Sequence, residues 1–227
     1  MNARPARGHN QGAGPETAAL AAIGERVRAR LDADPSVHRI AVEDVDLYAA
    51  SNFLSAAECA HFIALIDAVA RPSPTYAGGA PFRTSWSGDV DPADSFVRMI
   101  ERRIADLTGF EESWGETVQG QRYQPGQEFR PHFDWFEPEG EYWPYERAHG
   151  GQRSWTVMAY LNDVEEGGET EFPKLGASIP PQRGALLAWN NAGRDGRPNP
   201  ATLHAARPVV RGTKYVITKW FRSRQWG

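Results

Sequence analysis

The residues best suited to chemistry are His132 and Asp134, in the run His132-Phe133-Asp134. On a strand, side chains alternate faces, so residues two apart point the same way. An imidazole and a carboxylate would then stand side by side at metal-ligand spacing. Alone this pair is weak, because a solvated strand pair looks the same. A third donor strengthens it. His204 follows about seventy residues later in TLHAARPVV, at the edge of an expected strand. Two histidines and one carboxylate can form a facial triad, which covers one face of an octahedral ion and leaves three positions open. Two of those suit a bidentate 2-oxo acid and the third suits O₂, as non-haem Fe(II) oxygenases require. A structural zinc site would instead be closed by four protein ligands.

Lys214, ten residues after His204, lies in Thr213-Lys214-Tyr215-Val216-Ile217-Thr218-Lys219-Trp220-Phe221. By alternation Lys214, Val216, Thr218 and Trp220 share one face. If that face points inward, Lys214 is a buried ammonium that needs an anion, and its own strand supplies none. A bound dicarboxylate would. Lys219, on the other face, is expected to be solvated.

Composition narrows the chemistry. The single cysteine, Cys59, excludes an internal disulfide framework, a Cys-rich zinc site and an iron–sulfur cluster held by this chain alone. Any metal must use nitrogen and oxygen ligands, which leaves iron, manganese, zinc, nickel or copper. The net charge of −4 gives no argument for a nucleic acid or an anionic membrane as partner. The segment MNARPARGHNQGAGPE has no apolar core of a secretory signal, and no run approaches about 18 uninterrupted apolar residues. A soluble cytoplasmic protein is the expectation.

Elements must bring these residues together. Leu20, Ile23, Val27 and Leu31 recur at helical steps, so an amphipathic helix is predicted from Thr17 to Ala33. Residues 38–42 look like a short strand. Ser55, with Glu58 three residues on, fits a capping box that opens a second helix, SAAECAHFIALIDAVA. His61 and Cys59 sit on it as scaffold. After the Pro/Gly-rich loop RPSPTYAGGAPFRTSW, a third helix is predicted over about 92–107, with Pro92 in its first turn. Beyond Glu116 the segments are short, β-branched, aromatic and punctuated by Gly, Pro and Asn: TVQGQRYQP, EFRPHFDWF, RSWTVMAYLN, ETEFPK, GALLAWN and TKYVITKWF. Many short strands argue for a sandwich or barrel, with the helices packed on the sheet. The polar stretch EPEGEYWPYERAHG reads as a mobile loop covering a substrate groove, with His149 on it too loosely held to be a ligand.

At this point residues 118–226 resemble the iron- and 2-oxoglutarate-dependent oxygenase domain of prolyl 4-hydroxylases. The matching segments are RYQPGQEFRPHFD, GGQRSWTVMAYLNDVEEGGETEFP and LHAARPVVRGTKYVITKW. Upstream, NFLSAAECAHFIAL and FRTS resemble the family's N-terminal helix and first core strand more loosely. The resemblance implies a mainly β fold with N-terminal helices and a double-stranded β-helix core, also called a jelly roll and cupin-like. The division it suggests is a disordered tail over 1–15, a helical support region with first core strands over 16–115, and the dioxygenase domain over 116–227.

It also implies Fe(II) on His132, Asp134 and His204, and 2-oxoglutarate with its distal carboxylate on Lys214. L-ascorbate would be the accompanying reductant. Tyr123 and Tyr160 match positions lining the cosubstrate pocket, with Thr218 beside it and Trp220 near the site. Arg153 matches an arginine that reaches the substrate in peptide-hydroxylating relatives. The implied reaction is hydroxylation of a prolyl residue in a peptide or protein, with succinate and CO₂ as coproducts. The same chemistry on a free amino acid or small metabolite is one alternative. A cupin-like metal binder without turnover is another, and it would have no use for a buried Lys214. Two positions depart from the family pattern. Phe129 stands where a tyrosine often precedes the metal histidine, and Arg222 stands where a peptide-binding relative has histidine. Both bear on the substrate rather than the metal.

Overall fold

The computed structural model describes residues 15–73 and 82–227. The expected tail up to residue 14, with His9, and part of the Pro/Gly-rich loop lie outside the described residues, and Pro15 opens the first helix. Within them run four α-helices: α1 (Pro15–Ala33), α2 (Ala56–Val69), α3 (Ser95–Thr108) and α4 (Trp143–Ala148). The first strands are β1 (Val37–Arg39), β2 (Leu47–Ala50), β3 (Arg71–Pro72), β4 (Trp86–Asp89), β5 (Gln119–Tyr123), β6 (Phe129–His132) and β7 (Arg153–Tyr160). The rest are β8 (Glu166–Gly167), β9 (Thr170–Phe172), β10 (Ala177–Ile179), β11 (Leu186–Asn190), β12 (His204–Ala206), β13 (Val209–Arg211) and β14 (Lys214–Arg222).

Eight strands form an antiparallel sheet in the order β1-β2-β11-β7-β14-β5-β4-β3. A smaller sheet, β10-β9-β12-β6, faces it, and β13 pairs with β8. The large sheet is covered on both sides, so its central strands carry near-continuous apolar runs. On β7, Trp155, Val157 and Ala159 pack toward the helices with Ile23, Phe62, Val97, Ile100 and Ile104. Met158 and Tyr160 turn the other way, into a second core with Tyr123, Phe172, Leu187, Trp189 and Val216. The site lies in that second layer, between the sheets. Helices α1, α2 and α3 act as backing: they bury the outer face of the large sheet and hold its inner face still. Among the described residues no helix is long and apolar enough to cross a membrane.

Local signals explain the helix ends. Ser55 Oγ accepts from Glu58 N–H, and the Glu58 carboxylate accepts from Ser55 N–H, which is the expected capping box. Helix α3 starts later than expected. Asp94 caps it by accepting from the N–H groups of Phe96 and Val97, so Pro92 falls before the helix rather than in its first turn. The carboxylate satisfies two orphan donors there, and that decides the start. The helix ends at Gly109, whose φ of 74° is left-handed backbone that suits glycine. Strand β1 covers Val37–Arg39 rather than 38–42, and the first core strand after the loop begins at Trp86, past the FRTS segment.

Two further expectations need correction. Lys219 is not solvated. It is 5% exposed, and its ammonium meets Glu101 on α3 at 2.5 Å. Alternation assigned its face correctly, but that face is covered by helices. The stretch read as a polar loop carries α4, which Arg222 ties to β14 through Glu146 at 2.6 Å.

Candidate active site

His132 ends β6 and His204 begins β12, and the two are register partners in the antiparallel pair. That pairing brings residues distant in sequence face to face, with ring centroids 4.2 Å apart. Asp134 lies past the end of β6, in a bend, so strand alternation is not what places it. It arrives beside the histidines because the chain turns there. One donor atom from each of His132, Asp134 and His204 falls within 4.8 Å of the others. Among the described residues no other group of histidines, cysteines and carboxylates gathers this way.

The imidazoles are oriented for ligation. Each Nδ1 sits against a backbone carbonyl, His132 on Arg130 at 2.8 Å and His204 on Thr202 at 2.9 Å. A carbonyl only accepts, so each Nδ1 carries a proton and each ring is turned with Nε2 as the atom left to ligate. Burial, helped by neighbouring His204, pushes His132 down to about 3, so it holds no second proton that a metal must displace. Phe129 stacks flat on the His132 ring at 3.5 Å between centroids, and Trp189 packs against His204 at 4.9 Å. Burial alone would raise the Asp134 carboxyl. His204, His132 and Arg153, with a hydrogen bond from Thr156, outweigh it and hold the group below the usual carboxylate range. Two imidazole nitrogens and one carboxylate, facing a cavity from one side, fit a divalent ion with open positions.

The same cavity runs to Lys214, past Gln121, Tyr123, Met158 and Thr218. Lys214 is directly opposite Tyr123 in the β14–β5 register. It is 1% exposed, and among the described residues no carboxylate lies within ion-pair distance of it. Its ammonium rests between the rings of Tyr123 and Tyr160, 5.4 and 5.5 Å from their centroids. Burial pushes the amine down to about 7, with Glu169 opposing. Hydroxyls around it are ordered. Tyr123 donates to Gln121 Oε1 at 2.7 Å, and Gln121 Nε2 donates to Thr218 Oγ1 at 3.0 Å, which leaves the Thr218 proton for an acceptor in the cavity. Tyr160 donates to Thr170 at 2.7 Å.

Trp220 lines the cavity beside Thr218, and the Arg153 guanidinium lies 4.0 Å over its ring. Arg153 also makes a two-pronged pair with Glu116, at 2.7 Å on both prongs. Arg222 is 1% exposed and spans Glu116 and Glu146. Its charge is spent inside the protein. His149 stacks on Tyr145 at the exposed end of α4, away from the donor cluster.

Sequence reasoning missed Gln121, Thr156, Thr170, Asn191 and Trp189. The usable signal was a polar residue on an inward-facing strand position: Gln121 shares a face with Tyr123, and Thr156 shares one with Met158 and Tyr160. The tight turn in GGETEFP also has a structural reason. Gly167 has φ 77°, and a Cβ there would collide with the Pro208 carbonyl.

A family model described as the 2OG-Fe(II) oxygenase superfamily matches residues 118–222. Prolyl 4-hydroxylase 5 of Arabidopsis thaliana is 36% identical over 201 residues, which is 75% of this chain and 66% of that protein. Probable prolyl 4-hydroxylase 10 of the same plant is 34% identical over 206 residues, covering 77% of this chain and 68% of the relative. Prolyl 4-hydroxylase subunit alpha-1 of Rattus norvegicus is 38% identical over 143 residues, only 26% of its own length. The chain therefore spans about two thirds of the plant relatives and about a quarter of the animal subunit. Among solved structures, the viral collagen prolyl hydroxylase of Paramecium Bursaria Chlorella virus-1, as its 2OG complex, matches with TM-score 0.61 and 25% identity. That match covers 85% of this chain and 98% of the viral one. A Trichoplax adhaerens prolyl hydroxylase in complex with a hypoxia inducible factor peptide fragment shares the fold, with TM-score 0.60 at 14% identity and 90% of each chain covered.

Proposed function

The chain belongs to the 2-oxoglutarate- and Fe(II)-dependent oxygenases of the prolyl 4-hydroxylase type, and we propose that it hydroxylates a prolyl residue in a peptide or protein. One observation carries the reading: a single cavity has a three-donor cluster at one end and a buried ammonium without a carboxylate at the other. A dicarboxylate that also carries a metal-binding oxo acid fits that pair of ends.

In this reading His132, Asp134 and His204 hold the metal, and Lys214 with Thr218 receives the distal carboxylate. Tyr123 and Tyr160 wall the cosubstrate and keep the ammonium from water. When bound, Fe(II) and 2-oxoglutarate supply the oxidising chemistry, with O₂ consumed and succinate and CO₂ released. The protein orients and excludes water. Its charges favour that occupancy, since the carboxylate of Asp134 and the two of the cosubstrate balance a divalent ion and Lys214. Trp220 and Arg153 stand at the substrate side, and L-ascorbate serves as the reductant. Arg153 is held by Glu116 across Trp220, so it presents an oriented donor edge rather than a swinging arm. Arg222 is committed to Glu116 and Glu146, so its departure from the family pattern acts through α4 and not by touching substrate.

Succinate release over a panel of proline-containing peptides, matched alanine peptides and free amino acids tests this. The expected result is release stimulated by the proline peptides alone. Stimulation by free amino acids alone would move the chemistry to a small substrate. No 2-oxoglutarate turnover with any member would remove the enzyme reading.

A further inference from the structure

Of the three donors, Asp134 alone is not placed by a strand, yet its carboxylate accepts a buried hydrogen bond and the chain after it is clamped. Thr156, fully buried on β7, lies opposite Trp189 on β11 and Trp220 on β14. Its hydroxyl donates to Asp134 Oδ2 at 2.6 Å. Asn191, just beyond β11 and 1% exposed, donates from Nδ2 to Thr156 Oγ1 at 2.9 Å. A hydroxyl has one proton, and an ionised carboxylate can only accept. Both contacts are hydrogen bonds only if the Asn191 amide donates and the threonine proton points at Asp134. That arrangement leaves Asn191 Oδ1 buried without a partner among the described residues. The amide is thus turned toward Thr156 at the expense of its own acceptor.

A second hold acts on the backbone. Gln152, 1% exposed, donates from Nε2 to the Phe136 carbonyl at 2.6 Å and accepts from Phe136 N–H at 2.9 Å. Its side-chain amide thus replaces a strand partner two residues past Asp134, where β6 has already ended. Threonine suits the task, because branching at Cβ limits its χ1 and its position on a central strand limits the rest.

We propose that Thr156, with its proton aimed by Asn191 and the following chain clamped by Gln152, is the positioning residue that holds Asp134 as an oriented ligand for the divalent metal. The proposal rests on the metal site argued above. Partners of metal ligands tune affinity by roughly ten- to a hundredfold, so the expected effect is measurable.

The test titrates Co(II) into the metal-free protein by calorimetry without cosubstrate, and records the visible Co(II) spectrum and the melting curve of each metal-free variant. Thr156→Val keeps the shape and removes the hydroxyl. It should weaken Co(II) about tenfold or more and change the spectrum, while melting cooperatively. Thr156→Ser restores the hydroxyl and should bind within about twofold of the parent. Asn191→Leu leaves Thr156 intact but frees its proton to turn, and should weaken Co(II) severalfold. If the valine variant does not fold, the serine and leucine variants carry the comparison. Co(II) affinity within about twofold of the parent in both Thr156→Val and Asn191→Leu overturns the proposal. A serine variant that loses as much as valine overturns it as well. Asp134→Ala separates the underlying reading: if it binds Co(II) as tightly as the parent, or the parent binds none, the metal site itself fails.

Discussion

Lys214 and Lys219 lie five residues apart on β14, on opposite faces, and both are buried, at 1% and 5% exposure. Lys219 looks toward the helices and ends on the Glu101 carboxylate of α3. Lys214 looks into the cavity and ends between two tyrosine rings. One charge is neutralised within the fold. The other rests only against ring faces, an arrangement weaker than an ion pair for an ammonium out of water. Burial alone therefore does not mark a functional cation. What marks it is burial without an internal counter-charge, beside a cavity that can admit one. The covered outer face contributes stability, and the inner face keeps an unpaired charge for a ligand.

The comparison can be broken most strongly at Lys214. Lys214→Met should weaken 2-oxoglutarate by about 3–4 kcal/mol, roughly a hundred- to a thousandfold, while leaving the metal-free melting temperature unchanged or higher. Cosubstrate titration followed by succinate release, beside thermal melting, checks both halves. An unchanged affinity would place the distal carboxylate elsewhere.

Lys219→Met should do the reverse. It strands Glu101 against β14 and should cost about 3 kcal/mol of stability, with 2-oxoglutarate affinity unchanged. Adding Glu101→Leu should recover most of the loss, as chemical denaturation would show.

A pH series sharpens the contrast. The Lys214 amine of the empty pocket sits at about 7, below its ordinary value of 10.5. Binding a dicarboxylate favours the ammonium, so binding takes up a proton above pH 7. Affinity should then fall as pH rises from 7 toward 9, by up to about tenfold per unit. Calorimetry in buffers of different ionisation enthalpy would read the proton directly. For the empty protein the sign is opposite. Between about 7 and 10.5 the unfolded chain binds more protons at this lysine, so stability rises with pH across that window. Lys214→Met should lose that slope.

The smallest expected effect lies far from either lysine. Ser55→Ala removes the α2 cap and should cost about 1 kcal/mol with no change in cosubstrate affinity. A large activity loss there would mean that the helical backing does more than support the sheet.

Much of the site was legible because strands impose a period of two. Spacing alone puts Lys214, Val216, Thr218 and Trp220 on one face, and the structure turns that face into the cavity. His132 and His204 were recognisable as donors, though only the β6–β12 register makes them partners. Asp134 does stand beside the two histidines, but strand alternation does not put it there, since it lies in a bend held by Thr156 and Gln152. Lys219 shows the other limit. Alternation tells which residues share a face, but not whether a helix lies over that face. Gln121 and Thr156 show in the sequence only as polar residues at inward-facing strand positions, and Asn191, just past β11, has no period to mark it. Their roles arise from the atoms they meet across the sheet.

Composition, period and capping residues thus determined, without reference to any fold, that the long helices lie in the first half and most of the short strands in the second, with nitrogen and oxygen donors. These are local properties, set by backbone sterics and by groups a few residues apart. Tertiary structure alone decided which buried charges are paired, which carbonyl fixes each imidazole tautomer and which hydroxyl holds Asp134. Each of those depends on electrostatics and hydrogen bonds between atoms that only folding brings within about 3 Å.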